Sequence, residues 1–215
     1  MKSLLVLCIP FLKSFLDCKR NGEFNQMTYF EYLKFRLGFS QTYWPKAKTC
    51  MVGHPNKIYV GKNAYIGRPF SYIQGAGGIY VGDYARIATH VCLLSSNHDL
   101  YDHRVSHKKP IVIGNNCWVG TQCCIMAGVT LGPYTIVAAN STVTKSFPQG
   151  YCVIGGCPAK IIKELNPDEI VKYKTKKEYY GFIPSSEFNR KKNKYIDKAT
   201  IEFYENNVKD IESTK

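Results

Sequence analysis

The stretch SSNHDLYDHR, residues 95–104, places His98, Asp99, Asp102 and His103 within six consecutive positions. Side chains of these types can move protons, bind a metal ion, or stay solvated on a loop. Zinc needs three or four ligands in a fixed geometry, so His98, Asp102 and His103 could bind it only if the loop curled tightly. General base catalysis near neutral pH needs only one well-held imidazole. The choice depends on the elements that hold the stretch.

A six-residue period surrounds this stretch. After the stretch an aliphatic residue recurs at every sixth position, at Ile113, Val119, Ile125, Leu131, Val137 and Val143. The same pattern starts upstream at Val60 and Val81. Four residues after each aliphatic comes a small or β-branched residue, as at Ala64, Ala85, Val91, Cys117, Cys123, Val129, Thr135 and Ser141. A period of six is neither helical nor a simple strand alternation, and it predicts a parallel β-helix, a solenoid with three hexads per coil.

The register also assigns roles to single residues. Cys117 and Cys123 occupy the small interior position, so we expect them to be structural and not catalytic. Glycine together with Asn63, Asp83 and Asn115 is expected to supply the turns, where a positive φ costs these residues little.

Composition limits the class of protein. The chain has 215 residues, enough for one domain with extensions, and its net charge of +13 is spread along the sequence. A nucleic-acid binder concentrates its positive charge on one face, so we expect no nucleic-acid partner; a diffuse surplus fits anionic small molecules or a membrane surface. Nine cysteines without a CxxC pair indicate free thiols in a reducing compartment and no structural zinc site.

The N-terminal segment MKSLLVLCIPFLKSFLDCKR leaves three interpretations open. It reads as an amphipathic helix packed on the domain, as a peripheral membrane contact through residues 1–20, or as a cleaved signal. Its apolar run is interrupted by Pro10 and Lys13 and is shorter than the ~20 residues that span a bilayer.

The hexad period is interrupted at the opening stretch. It holds up to Leu93 and resumes at Ile113, twenty residues later. A full coil of three hexads would span eighteen residues, so the spacing does not fit the period. We therefore predict that residues 99–110 form a loop extruded from the coil. His98 is then held by the scaffold at the point where the chain leaves it.

The hexads resemble a known family. The run KPIVIGNNCWVGTQCCIMAGVTLGPYTIVAANSTVTKSFP from Lys109, followed by GGCPAKIIKEL, is similar to the hexapeptide-repeat acyltransferases, and most of all to the galactoside, maltose and polysaccharide O-acetyltransferases. The resemblance covers about residues 60–162. It implies a mainly β fold, a left-handed parallel β-helix, against the usual right-handed crossover rule.

The resemblance also implies a homotrimer with acetyl-CoA, the acyl donor, in the groove between adjacent subunits, and no metal. Its motif positions give these contacts to CoA: Trp118, Thr121, Ala139, Thr144, Lys145, Lys160 and Lys163. It implies that His98 takes the proton from an acceptor hydroxyl. The chemistry also needs a group that stabilises the oxyanion, and a backbone N–H such as that of Thr121 is a candidate. Relatives often carry asparagines where this chain has IQGAGG, residues 73–78, so the acceptor contacts do not carry over.

The sequence thus predicts an acetyl-CoA-dependent O-acetyltransferase acting on a carbohydrate hydroxyl in surface polysaccharide biosynthesis, in the cytoplasm, with a position at the inner face of the membrane left open. The alternatives are N-acetylation of an amino sugar, acetylation of serine or a xenobiotic, and a non-catalytic β-helix scaffold. We expect an N-terminal extension over 1–59, the β-helix over 60–162, and a C-terminal helix and tail over 163–215. Asn166 is the expected N-cap of a helix that runs to about Tyr179 and covers an open end of the solenoid.

Overall fold

The computed structural model describes residues 11–21 and 27–208. The strands are short, and in chain order they are β1 Met51–Gly53, β2 Ile58–Val60, β3 Tyr72–Gln74, β4 Ile79–Val81, β5 Arg86–Ile87, β6 Cys92–Leu94, β7 Ser96–His98, β8 Ser106–Lys108, β9 Ile111–Ile113, β10 Trp118–Val119, β11 Cys124–Met126, β12 Thr130–Leu131, β13 Thr135–Val137, β14 Thr142–Val143, β15 Cys152–Gly156, β16 Ala159–Glu164, β17 Tyr179–Tyr180 and β18 Ile183–Pro184. The helices are α1 Leu12–Asn21, α2 Tyr29–Arg36, α3 Ser185–Lys191 and α4 Lys198–Phe203, with a π-helical turn over Tyr204–Val208. None of the helices within the described residues is long and apolar enough to cross a membrane.

Most strands belong to three sheets whose pairing is parallel. Sheet I has the order β2-β4-β9-β12, sheet II the order β5-β10-β13-β15, and sheet III the order β1-β3-β6-β11-β14. The chain passes from sheet I to II to III in each coil, and β16 then returns antiparallel to β15. A mainly β coil of parallel strands is therefore confirmed. The pairing starts upstream of the expected boundary at residue 60, because β1 already pairs with β3.

The predicted interior positions are all buried. Both hexad series lie in one hydrophobic core together with Thr135 and Ser141. The Cys117 thiol donates to the carbonyl of Gly132 at 3.1 Å, and burial raises the pKa of this thiol to about 12. Cys123 is buried in the same way, with a thiol pKa that burial raises. Both cysteines are structural, as the register predicts.

The corners between the sheets follow the period with one correction. Asn63 has a positive φ as expected, but in the next two coils the positive φ falls at Tyr84 and Asn116, one residue after Asp83 and Asn115. Asp83 and Asn115 instead join neighbouring coils, because the side-chain oxygen of Asn115 accepts the N–H of Asp83 at 2.5 Å. Such bonds satisfy corner N–H groups that no strand partner reaches.

The helix predicted from Asn166 to about Tyr179 is wrong. Asn166 does cap, but only a three-residue 3-10 turn, Pro167–Glu169, follows before the chain becomes extended. A short helix needs packing of an apolar face to be stable, and in this lysine-rich segment Val171 and Tyr173 stay exposed. Instead the segment runs along the first coils. The side-chain amide nitrogen of Asn63 donates to the hydroxyl of Thr175 at 2.6 Å, and the side-chain oxygen of Asn63 accepts the N–H of Tyr179 at 3.0 Å.

The C-terminal extension covers the outer face of sheet I. The ring of Tyr204 stacks on Tyr59 with 3.8 Å between centroids, and Phe203 stacks on Tyr80 at 4.7 Å. Tyr59 and Tyr80 point away from the coil interior, yet both are buried under these rings. The C-terminal extension thus supplies the packing layer that the apolar outer face of sheet I needs.

The N-terminal helices close the start of the coil together with the C-terminal extension. Helix α1 buries Phe15 and Cys18, and α2 buries Tyr32 and Phe35. Phe35 stacks on Phe182 of the C-terminal extension with 4.8 Å between ring centroids. The interpretation of an amphipathic helix packed on the domain is confirmed for α1, whereas residues 1–10 lie outside the described residues.

Candidate active site

The opening stretch forms an ordered antiparallel hairpin at the edge between sheets III and I. Strands β7 and β8 pair from Ser96 with Lys108 to His98 with Ser106. The excursion therefore starts three residues before the predicted 99–110, and His98 ends its first strand. Backbone hydrogen bonding between the two strands explains the difference, because paired strands satisfy more peptide groups than an open loop.

Ser95 fixes the base of the hairpin to the coil. Its buried hydroxyl donates to the carbonyl of Gln74 at 2.6 Å and accepts the N–H of Gly77 at 2.9 Å. A Cβ at Gly77 would lie 2.2 Å from the carbonyl oxygen of Ser95 and 2.8 Å from the backbone nitrogen of Lys109. The glycines of the IQGAGG segment thus include one, Gly77, that makes room for the hairpin.

Asp99 organises the hairpin tip. One carboxylate oxygen accepts the N–H groups of Tyr101 at 2.8 Å and Asp102 at 3.1 Å. The other oxygen lies 2.8 Å from Nε2 of His107 on the returning strand. The hydrogen bond from His107, followed by those from the two backbone groups, lowers the pKa of Asp99 to about 2. The tip is therefore held by a carboxylate that stays ionised across the physiological range.

His98 lies at the end of β7 with one of its two ring nitrogens bonded to the backbone. Its Nδ1 lies 2.6 Å from the backbone carbonyl oxygen of His103. A carbonyl can only accept, so this contact places the imidazole proton on Nδ1 and leaves the lone pair on Nε2. The imidazole is exposed, and Nε2 has no partner among the described residues. This geometry suits proton abstraction from a hydroxyl that approaches from outside the chain.

A second set of predicted residues lies on sheet II. Trp118 is 55% exposed and belongs to an outward column of paired residues. This column runs through Arg86, Trp118, Ile136, Val153 and Lys163. Lys160 and Lys163 both lie on β16 and are exposed. An apolar strip that ends at cationic groups can accommodate an extended molecule with an anionic end.

Thr121 and Ala139 occupy successive corners of the edge between sheets II and III. The backbones of these two corners lie close together: a Cβ added to Gly120 would lie only 2.7 Å from the backbone nitrogen of Ala139. The hydroxyl of Thr121 donates to the carbonyl of Thr89 at 2.9 Å. Within the described residues, the backbone N–H groups of Thr121 and Ala139 have no carbonyl partner. Two such donors in a row can bind the carbonyl oxygens of an extended ligand.

The predicted residues therefore fall into two groups in one chain. His98, Thr144 and Lys145 lie at the edge between sheets III and I, where Lys145 rests 5.7 Å from the ring centroid of Phe147. Trp118, Thr121, Ala139, Lys160 and Lys163 lie on sheet II and its edge with sheet III. The width of sheet III separates His98 from Thr121, because Thr121 precedes β11 and His98 follows the neighbouring β6.

The sequence prediction missed the residues that hold the histidine. Ser95, Gly77 and the pair of Asp99 with His107 determine the hairpin geometry. Asp99 and His107 face each other only when the two strands of the hairpin pair in one particular register. The sequence does not show that register, because it depends on how the strands pair. Across the described ranges, no group of three or more His, Cys, Asp or Glu side chains is arranged to hold a metal ion.

Comparisons with known proteins agree with this architecture. The bacterial transferase hexapeptide model, of six repeats, matches residues 110–145. The chain is 32% identical to a galactoside O-acetyltransferase of Escherichia coli K12 over 115 residues, 52% of this chain and 56% of that protein. It is 34% identical to a putative colanic acid biosynthesis acetyltransferase, WcaF, of the same strain over 114 residues, 53% of this chain and 62% of that protein.

Among solved structures, a hexapeptide-repeat acetyltransferase of Vibrio cholerae complexed with acetyl coenzyme A superposes with a TM-score of 0.54 at 26% identity. The match covers 69% of this chain and 85% of that one. The resemblance to the hexapeptide-repeat acyltransferases is therefore confirmed. The match to these two curated relatives spans 56% and 62% of their lengths.

Proposed function

We propose that this protein is an acyltransferase that uses acetyl-CoA to acetylate a hydroxyl group of a carbohydrate, with His98 as the general base. The observation that carries the proposal is the hydrogen bond from Nδ1 of His98 to the carbonyl of His103, because it fixes the tautomer in which Nε2 is free to accept a proton. The relatives named for galactosides and for colanic acid support a carbohydrate acceptor.

The proposed step needs no covalent enzyme intermediate. Nε2 of His98 takes the proton of the acceptor hydroxyl while that oxygen attacks the thioester carbonyl carbon of acetyl-CoA. The oxyanion that forms is stabilised by a backbone N–H, for which Thr121 offers an unpaired donor among the described residues. The C–S bond then breaks, the acetyl ester is released, and the CoA thiolate recovers the proton from the imidazolium.

The separation of the two residue groups supports a site built from two chains. In our proposal the chain forms a homotrimer with a left-handed coil, in which the hairpin edge of one subunit faces sheet II of the next. Trp118, Thr121 and Ala139 then bind the pantetheine arm, while Lys160, Lys163 and the exposed Lys145 meet the phosphates. A neighbouring subunit would also exclude water from the exposed imidazole of His98, which strengthens each electrostatic contact.

We place the enzyme in the cytoplasm, where acetyl-CoA and nucleotide-linked or lipid-linked sugars meet, and propose a surface polysaccharide or its precursor as the acceptor. The colanic acid relative supports this acceptor class. The overall net charge of +13 favours an anionic acceptor such as a sugar phosphate over a neutral free sugar.

An acceptor screen tests the proposal. Purified protein is incubated with acetyl-CoA and a panel of sugars, nucleotide sugars and lipid-linked sugars, and release of the CoA thiol is followed. We expect turnover with a hydroxyl acceptor and an ester in the product, which hydroxylamine cleaves. A hydroxylamine-stable amide product would assign N-acetylation instead. Absence of CoA binding in calorimetry would leave only the scaffold alternative.

A further inference from the structure

Helix α2 carries apolar side chains on two opposite faces, and only one of them is covered. Tyr32 and Phe35 face the core and are buried. On the other side Phe30 is 63% exposed and Leu37 57% exposed, and Phe39, just beyond the helix, is 76% exposed. A surface helix normally presents polar residues on its outer face. An outer stripe of this kind indicates a surface that binds something.

Cations flank this stripe. Lys34 lies above the ring of Phe30, with 4.6 Å between the ammonium and the centroid. The groove beside the stripe is lined by Phe30 and Phe39 together with Lys34, Lys46 and Lys48. At the other end of the stripe, Nζ of Lys194 lies next to Gly38, between Leu37 and Phe39. Aromatic and aliphatic side chains are thus interleaved with positive charge along one side of the molecule.

The acidic groups nearby are already engaged. Glu31 accepts the backbone N–H of Thr28 at 2.9 Å as part of the helix cap. Glu187 pairs with Lys191 and lies 3.7 Å from Arg190. Lys34 and Lys48 are exposed, whereas the half-buried Lys46 donates to the backbone carbonyl of Cys50 at 3.3 Å. Among the groove's described lining the capping Glu31 is the acidic residue.

The first described residue, Phe11, lies against the last residue of α2. Phe11 packs under the guanidinium of Arg36, the last residue of α2, at 4.7 Å. The ten residues that precede it, MKSLLVLCIP, are apolar except for Lys2 and Ser3. In composition this preceding segment is as apolar as the stripe.

We infer that the outer face of α2, defined by Phe30, Lys34, Leu37 and Phe39 with Lys46 and Lys48, docks on an anionic phospholipid surface. Aromatic and aliphatic side chains flanked by lysines are the composition of interfacial membrane contacts. Phe30, Leu37 and Phe39 would enter the headgroup region while the ammonium groups meet lipid phosphates. This contact is independent of the chemistry at His98, and it would bring the coil to a membrane-linked acceptor.

Co-sedimentation of the full chain with vesicles tests the inference. We expect binding to vesicles of phosphatidylcholine with phosphatidylglycerol and much weaker binding to phosphatidylcholine alone. Phe30→Ser with Phe39→Ser should lower the partition coefficient at least about tenfold. Lys34→Gln with Lys48→Gln, which changes the two exposed lysines of the groove, should lower it about twentyfold, and high salt should remove the difference between the two vesicle types.

The matched control changes another exposed apolar and basic stretch. Val171 and Tyr173 are exposed and alternate with lysines, so Val171→Ser with Tyr173→Ser alters the same kinds of residue elsewhere. We expect this variant to bind vesicles like the wild type. Equal losses in both double variants, or no preference for phosphatidylglycerol, would overturn the inference. A Phe30 and Phe39 variant that binds vesicles normally but sediments with a changed subunit number would assign the face to a second copy instead.

Discussion

The outer faces of sheets I and III are built from the same repeat, yet the described part of the chain covers only one of them. On sheet I the outward rings of Tyr59 and Tyr80 are buried under Tyr204 and Phe203 of the chain's own C-terminal extension. On sheet III the outward residues include Met51, 64% exposed, and Tyr72, 39% exposed. The residues of the five strands of sheet III include no charged side chain.

The difference indicates that the two faces have different roles. A sheet face that meets water is normally polar, so an uncharged and uncovered face calls for a partner. Sheet I has its partner within the chain, and we expect sheet III to find it in a second copy. The hairpin with His98 leaves the coil at the edge of sheet III. A subunit that binds this face would therefore also lie next to the proposed base.

The largest expected effect comes from charging sheet III. Tyr72→Arg with Met126→Arg places two cations on the outward face without entering the coil interior, and we expect the trimer to dissociate into folded monomers with activity reduced to background. Sedimentation and turnover measure this. Val171→Arg, a charge at an exposed residue away from the sheets, is the control and should leave both unchanged. An active monomeric wild type would contradict the assignment of a two-chain site.

Removing the base should have the next largest effect. His98→Ala should lower kcat by roughly 10² to 10⁴, the usual share of general base catalysis, while CoA binding and assembly persist. His103→Ala removes another exposed imidazole of the same hairpin but keeps the carbonyl that orients His98. We expect it to retain most of its activity. Similar losses in both variants would indicate a structural role for the hairpin instead of catalysis.

The pH dependence of the reaction sharpens the same assignment. A base must be unprotonated, so kcat should fall on the acidic side of its pH profile, and this limb should be absent in His98→Ala. Asp99 cannot supply the limb, because the bond from His107 lowers the pKa of Asp99 to about 2. Its stabilising contribution to the hairpin is present above the ordinary carboxylate pKa and is lost only as the pH falls towards about 2. A limb that survives in His98→Ala would exclude the proposed base.

A substitution on the covered face of sheet I should lower the stability of the fold and leave the number of subunits unchanged. Tyr59→Ala removes a buried ring that stacks on Tyr204 at 3.8 Å, and we expect the free energy of unfolding to fall by about 3–5 kcal/mol. Subunit number should stay the same, because sheet I offers no surface to a neighbour. Chemical denaturation and sedimentation of the same samples check both statements. Loss of the trimer at temperatures where the variant is folded would show that the two faces do not divide their roles.

The smallest effect is expected for the phosphate contacts. Lys145→Ala with Lys160→Ala should raise KM for acetyl-CoA about three- to tenfold and leave kcat within a few-fold, since exposed charges far from the thioester bind ground and transition states alike. Initial rates at varied acetyl-CoA separate the two parameters. Lys172→Ala with Lys174→Ala, on the extended segment, should change neither. A dominant loss of kcat would place the two lysines in another role.

The hexad register was readable from the sequence because each coil repeats the same two interior positions. Val119 and Cys117 are buried for the same reason as Ile125 and Cys123, so one rule accounts for the core of the coil. The break in the period also located His98 at an excursion from the coil. Local repetition determines these features, since each hexad contacts mainly its neighbours in adjoining coils.

The sequence alone did not determine what lies on the outside of the coil. The partner of Asp99, the tautomer of His98 and the need for glycine at Gly77 depend on the pairing of β7 with β8 and on the approach of the hairpin to the coil. The failed helix after Asn166 shows the same limit. Capping signals favour a helix there, but the contacts of the segment with the first coils favour an extended chain. These outcomes follow from packing between residues far apart in the chain, whose energies a local pattern does not contain.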